Sequence, residues 1–96
     1  MKTIQITSEP ELDFAAASKM SDAVARSLHG DEVVCLSWYD SVRDQQSPAH
    51  ACECRIDGRD VPGYIGYAQS RGGQLRVVVN DGTFVFCYRS VDDFVR

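Results

Sequence analysis

Apolar residues recur along the chain at two different spacings, and the change of spacing separates a helical segment from a strand-rich remainder. Five of them follow one another every four residues, as on one face of an α-helix: Leu12, Ala16, Met20, Val24 and Leu28. Ser8 with Glu11 three positions later forms the pattern of a capping box, and Gly30 is suited to end the helix. The pattern predicts one helix over residues 8–29.

Short segments rich in β-branched and aromatic residues favour strands on both sides of this helix. The connections over residues 40–48 and 57–63 are polar and turn-like, and Gly72-Gly73 predicts a hairpin. Ser90 with the acidic residues after it indicates one closing helical turn over residues 90–93. The predicted strands are residues 2–6, 33–39, 49–56, 64–69, 75–79 and 83–89.

The last hairpin has a register that the sequence itself indicates. Asp81-Gly82 is a strong signal for a two-residue turn. Cross-strand partners lie on the same face of a sheet, so one face is expected to be continuously apolar. That face contains Leu75, Val77, Val79, Phe84, Phe86 and Tyr88. The opposite face is mixed and pairs Arg76 with Cys87, Val78 with Val85, and Asn80 with Thr83.

These elements predict a single α+β domain over residues 1–96, with one main N-terminal helix packed on a curved antiparallel sheet of five to six strands. The element order, β-α-β-β-β-β-β, resembles that of cystatin-like folds, although the chain has no Gln-x-Val-x-Gly segment. We expect Phe14, outside the helical stripe, to meet the first strand. The predicted core is Leu12, Ala16, Met20, Val24, Leu36, Trp38, Leu75, Val77, Val79, Phe84 and Phe86.

Composition and charge narrow the classes of function. Of the 96 residues, 44% are hydrophobic and 25% are charged, as in folded soluble proteins. A formal net charge of −4 argues against a nucleic-acid partner, which needs a basic surface against phosphates. No segment has the length and apolarity expected of a membrane span or an export signal. Four cysteines in such a chain are expected to be reduced thiols, which predicts a cytoplasmic protein.

The most suggestive cluster of chemical groups is His50-Ala51-Cys52-Glu53-Cys54. In a strand, alternate residues point the same way, so His50, Cys52 and Cys54 would present an imidazole and two sulfurs on one face. Zinc or copper accepts such donors, which makes a metal- or thiol-dependent protein the alternative function. The competing interpretation, which we prefer, is that both cysteines are small buried residues of a strand.

Nothing in the sequence singles out a catalytic residue. His29 and His50 are possible bases for a cysteine nucleophile, but no surrounding pattern marks either of them. The acidic residues fall at turns and helix ends, where they have structural roles. We therefore predict a non-catalytic protein without a cofactor, and the sequence indicates no particular small-molecule ligand.

The mixed face of the predicted sheet is the candidate binding surface. One helix covers only one side of a sheet, so apolar residues on the other side are expected to mark a contact. The sequence predicts a protein-binding or assembly module, most simply a symmetric homodimer, with binding of a different protein as the other possibility. The candidate interface residues are Val33, Tyr39, Tyr67, Arg76, Val78, Val85 and Arg89.

Overall fold

The computed structural model describes residues 1–49, 54–56 and 58–91, the side chains of 54–56 excepted. Two helices pack on opposite faces of a five-stranded sheet. The segment of the chain just before the second helix forms a separate two-stranded sheet. The helices are α1 (Phe14–His29) and α2 (Gly63–Ser70). The strands are β1 (Lys2–Ile6), β2 (Val33–Asp40), β3 (Gln45–Ser47), β4 (Cys54–Ile56), β5 (Arg59–Val61), β6 (Leu75–Val79) and β7 (Phe84–Ser90).

The main sheet has the strand order β1-β6-β7-β2-β3, and β4 pairs with β5 separately. The prediction of an α+β fold is confirmed, but the sheet is mixed rather than wholly antiparallel because β1 lies parallel to β6. The resemblance to cystatin-like folds is limited to the first elements of the chain, because β4, β5 and α2 come before the last hairpin. None of the helices in residues 1–49, 54–56 and 58–91 is long and apolar enough to cross a bilayer.

The first helix begins later than the capping box at Ser8 predicts. Its N-cap is Asp13, whose carboxylate accepts a hydrogen bond from the Ala16 amide at 2.8 Å. The Ser8 amide instead donates to Asn80 Oδ1 at 2.8 Å, in the turn between β6 and β7. This contact holds the chain beside the end of β6, and residues 7–13 then lead across to the start of α1.

The buried face of α1 is made of small residues, which differs from the predicted stripe. Ala17, Ser21 and Ala25 are fully buried, whereas Met20 is 40% exposed and Leu28 is 55% exposed. The aromatic residues of the sheet fill the space under the helix, so the helix approaches closely through small side chains. The prediction that Met20 lies in the core is therefore wrong, because a four-residue spacing alone does not determine which side of a helix meets the sheet.

The core on the α1 face of the sheet, meaning the face that α1 covers, is largely aromatic. Phe14 lies with its ring centroid 4.7 Å from that of Trp38 and 5.5 Å from that of Phe86. It thus packs over β2 and β7 rather than against β1 as expected. The buried Tyr88 hydroxyl donates to Asp22 Oδ1 at 2.6 Å and lies 2.8 Å from Ser21 Oγ, which ties α1 to β7.

The hairpin formed by β6 and β7 has the predicted register. Leu75 pairs with Tyr88, Val77 with Phe86, and Val79 with Phe84, and all six are buried on the α1 face. Asn80 and Asp81 both have positive φ, and Gly82 follows at φ 104°, so residues 80–83 close the turn without changing that register. Turn chemistry and the two-residue period agree here, so this hairpin could be predicted from the sequence.

Residues 64–69 form most of α2 and not the predicted strand. The helix follows Pro62, and its buried residues Ile65 and Ala68 pack on Cys87 of β7 and Leu36 of β2. A short apolar segment fits either a helix or a strand, and here the burial of the second face of the sheet decides between them. We call this face the α2 face.

The glycine pair after α2 ends a helix rather than forming a hairpin. The Gly73 amide donates to the Ala68 carbonyl oxygen at 2.8 Å, and the Gly72 amide donates to the Gln69 carbonyl oxygen at 3.2 Å. With Gly72 at φ 78°, this is the Schellman arrangement of a helix C-terminus. It turns the chain into β6. Of the predicted closing turn over residues 90–93, residues 92 and 93 lie outside the described residues.

Candidate functional site

The mixed face that the sequence indicates as an interface is partly closed. Val85 is only 5% exposed, and α2 packs on β2 and β7 on this side of the sheet. The premise that a single helix leaves this face open is therefore wrong. On β6, which lies beside that covered region, Arg76 and Val78 are half-buried.

A bulge in β2 moves Val33 from its expected position on the mixed face. The pairing with β7 shifts between Cys35 and Ser37, so that Cys35 pairs with Tyr88 and Ser37 pairs with Cys87. As a result Val33 packs against the α1-side core and not on the α2 face. An unbroken alternation through β2 was the wrong assumption, since the extra residue reverses it.

The remaining interface candidates make contacts within the chain. Tyr39 stacks on Tyr64 at 5.2 Å between ring centroids, and the Tyr67 ring lies 4.1 Å from the Arg71 guanidinium carbon. Arg89 donates from Nη1 to the Arg71 carbonyl oxygen at 2.8 Å. Each of these side chains therefore contacts another residue of the same chain, on or next to α2.

The candidate metal ligands are only partly covered by the structure. His50 and Cys52 lie outside the described residues, and Cys54 is in β4, where its backbone pairs with Val61. Within the described part of the chain, no three His, Cys, Asp or Glu residues are grouped to hold a metal ion.

Two further cysteines are free, and their surroundings favour the protonated thiol. Burial, followed by the nearby Asp22 carboxylate, raises the pKa of Cys35 to about 12, although the residue reaches the surface. Its sulfur donates to the Ser37 carbonyl oxygen at 3.4 Å. Burial also raises the pKa of the Cys87 thiol. Because the thiolate is the reactive form, neither thiol is activated for nucleophilic attack at neutral pH.

A concave surface lies at the N-terminal end of α1, where this helix meets the end of β2 and the start of β7. This cleft has a volume of about 670 Å³, within the range of ligand sites. Its apolar residues come from three separate segments of the chain, and Val42 stands at the surface with 73% of its area exposed. The lining residues are Glu11, Leu12, Asp13, Phe14, Ala15, Asp40, Val42, Arg43 and Phe84.

Asp40 is the polar centre of the cleft wall. Its side chain is 2% exposed, and Oδ2 lies 2.6 Å from Nε of Arg43. Oδ1 accepts from the amides of Val42 at 2.9 Å and of Arg43 at 3.2 Å. Burial alone would raise the pKa of this carboxyl group, but the hydrogen bonds from Arg43 and the two amides outweigh it and lower the pKa.

The Arg43 side chain contacts both the Asp40 carboxylate and the Phe14 ring. While Nε is paired with Asp40, the guanidinium carbon lies 5.2 Å from the centroid of the Phe14 ring, in cation–π range. Because Asp40 neutralises Arg43, the remaining charge of the described lining residues comes from Glu11 and Asp13. The cleft therefore combines an apolar floor with a negative rim.

The sequence does not predict this cleft. It predicts a polar turn at Asp40 and Arg43 and a contact of Phe14 with β1, and neither prediction brings the three lining segments together. One local signal was present: an aspartate that ends a strand and starts a turn often accepts from the amide two residues later. Asp40 does so with Val42.

Comparison with known proteins supports the fold and leads to a family. No curated protein matches the chain. It is similar to the crystal structure of AF1514, described as a novel non-family-model protein from Archeoglobus fulgidus DSM 4304, with a TM-score of 0.72 and 27% sequence identity. That match covers 94% of each chain, which agrees with one compact α+β domain of two helices on a mixed sheet. The family model described as Domain of unknown function (DUF5619) matches residues 1–88, and the chain therefore belongs to that family.

Proposed function

We propose that this domain is a non-catalytic binding module that takes a basic, apolar peptide segment of a partner protein into the cleft at the start of α1. The observation that carries the proposal is the cleft itself, with a volume of about 670 Å³, an apolar floor and a negative rim. Ligand sites combine these features: a largely apolar concave surface and a few polar groups that set the orientation.

The charge of the cleft selects the sign of the ligand. Asp40 and Arg43 form an ion pair and contribute no net charge, whereas Glu11 and Asp13 are both acidic. The chain as a whole carries a formal charge of −4, which acts in the same direction. A lysine or arginine side chain next to an aromatic or aliphatic one matches both the rim and the floor.

The contacts of the polar groups support binding rather than catalysis. The Asp40 carboxylate accepts hydrogen bonds from Arg43 and from two backbone amides, so it is occupied and its lowered pKa makes it a weak base. The raised pKa values of Cys35 and Cys87 argue against thiol catalysis by these two residues. Both are free cysteines, in keeping with the reducing cytoplasm as the proposed location.

The proposal is tested with two matched probes, N-acetyl phenylalanyl-lysine amide and N-acetyl phenylalanyl-glutamate amide, by ligand-observed NMR titration. Probes of this size are expected to bind with dissociation constants on the order of 1 mM. We expect the lysine probe to bind about fivefold more tightly than the glutamate probe at low salt, because a solvent-exposed ion pair contributes up to about 1 kcal/mol. Added salt should reduce the difference.

A pair of variants locates the effect. Glu11→Gln removes a carboxylate from the rim, and it should weaken the lysine probe about threefold. Glu9→Gln makes the same change at an exposed position outside the lining and should leave affinity nearly unchanged. Equal binding of the two probes, or equal effects of the two variants, would contradict the proposed site.

A further inference from the structure

The strand β1 forms one edge of the main sheet, and one of its two sides faces away from β6. β1 pairs with β6 and, in the described part of the chain, with no other strand. Thr3 and Gln5 are exposed, while Ile4 and Ile6 are half-buried against the α1-side core. An open edge of this length presents unpaired backbone groups to any further strand.

The hydrogen bonds between β1 and β6 determine which backbone groups of β1 point away from the sheet. The Lys2 amide donates to the Gln74 carbonyl oxygen at 3.0 Å, and β1 continues beside β6 in a parallel register from Lys2–Leu75 to Ile6–Val79. Successive residues of a strand direct their backbone groups to alternate sides. The amides and carbonyls of Thr3 and Gln5 therefore point outward.

We infer that β1 pairs antiparallel with β1 of a second copy of this chain about a two-fold axis at Ile4, which joins the two sheets into one. In this register Thr3 of one copy lies opposite Gln5 of the other. Both residues carry outward backbone groups, so each of the two pairs exchanges an N–H···O=C bond in both directions. Ile4 lies opposite its own copy on the α1 face.

The charges along the edge favour this antiparallel pairing. Lys2 lies opposite Ile6 of the second copy, whereas an in-register parallel pairing would place the two Lys2 side chains side by side. On the α2 face, Nε and Nη2 of Arg76 lie 3.2 Å and 3.1 Å from Thr3 Oγ1. The side chain at position 5 of the second copy is thereby placed beside a guanidinium group.

This dimer differs from the one that the sequence predicts, since it uses the edge of the sheet and not a face that α2 partly covers. It also uses residues outside the cleft, so its test is separate from that of the proposed function. The contact is small, so we expect a weak dimer that forms only at high protein concentration.

The charge at position 5 gives a test with opposite expected signs. Sedimentation equilibrium of the wild-type chain from about 10 µM to 1 mM should show the average mass rising above the 10.7 kDa monomer. Gln5→Lys places an ammonium group beside Arg76 of the second copy and should weaken the dimer about tenfold, while Gln5→Glu should strengthen it about threefold. Gln69→Lys and Gln69→Glu, at an exposed position of α2, are the matched controls and should have little effect.

A wild-type chain that stays at 10.7 kDa at 1 mM would overturn the inference. So would equal effects of the substitutions at positions 5 and 69, or a dimer that Gln5→Lys and Gln5→Glu change in the same direction. Circular dichroism of each variant should match that of the wild type, so that a change in mass reports association and not unfolding.

Discussion

Replacing Ile65 by alanine is expected to lower the free energy of unfolding by about 3 kcal/mol. Ile65 is 5% exposed and lies with Ala68 on the buried side of α2, where the two residues pack with Cys87 of β7. The truncation leaves a cavity between α2 and the sheet that rigid strands cannot fill by moving. Urea denaturation followed by circular dichroism measures the change.

Leu28→Ala is the matched control for this prediction. Leu28 is also a helical residue, but 55% of its surface is exposed, so its loss should change the free energy of unfolding by less than about 0.5 kcal/mol. Similar effects of the two substitutions would mean that α2 does not close the second face of the sheet. The face would then again be available as the interface that the sequence predicts.

Replacing Asp40 by alanine is expected to lower the free energy of unfolding at pH 7 by about 2 kcal/mol. The substitution removes the ion pair with Arg43 and the acceptor of two backbone amides. Arg43 is half-exposed and can turn to water, which keeps the loss below that of a fully buried pair. Arg43 should also leave the Phe14 ring, so affinity for the lysine probe should change as well.

The effect of Asp40 depends on pH with a definite sign. Its folded-state pKa is lowered below the ordinary value for an unfolded aspartate, about 3.9. The stabilisation is therefore fully present above that value and is lost as the pH falls through the folded-state pKa. The difference in stability between wild type and Asp40→Asn should shrink below about pH 4.

Asp31→Asn is the control for the pH series, since Asp31 is exposed after α1. It should change stability by less than about 0.5 kcal/mol at pH 7. A difference between wild type and Asp40→Asn that grows on acidification would contradict the assigned contacts of Asp40.

Local signals in the sequence were sufficient where a single hairpin or helix decides the structure. The pairing of Val77 with Phe86 follows from a turn and an alternation within fifteen residues. The existence of α1 follows from its periodicity in the same way. Its start does not, because Ser8 and Asp13 are both acceptable caps and a distant contact of Ser8 with Asn80 selects between them.

The parts that could not be predicted depend on contacts between distant segments. Residues 64–69 fit a strand by themselves, and they become helical because the α2 face of β2 and β7 needs a cover. The bulge between Cys35 and Ser37 leaves no mark in the sequence, yet it moves Val33 to the other face. The cleft unites Glu11, Asp40 and Phe84, which no local pattern connects.

The central claim, that the cleft at the start of α1 is the binding site, is tested most directly by protein-observed NMR. Amide spectra of the ¹⁵N-labelled chain are recorded during titration with N-acetyl phenylalanyl-lysine amide. We expect the largest shifts at residues 11–15, 40, 42, 43 and 84, which line the cleft. Shifts centred instead on Tyr39, Tyr64 and Tyr67 around α2, or no shifts at several millimolar probe, would contradict the claim.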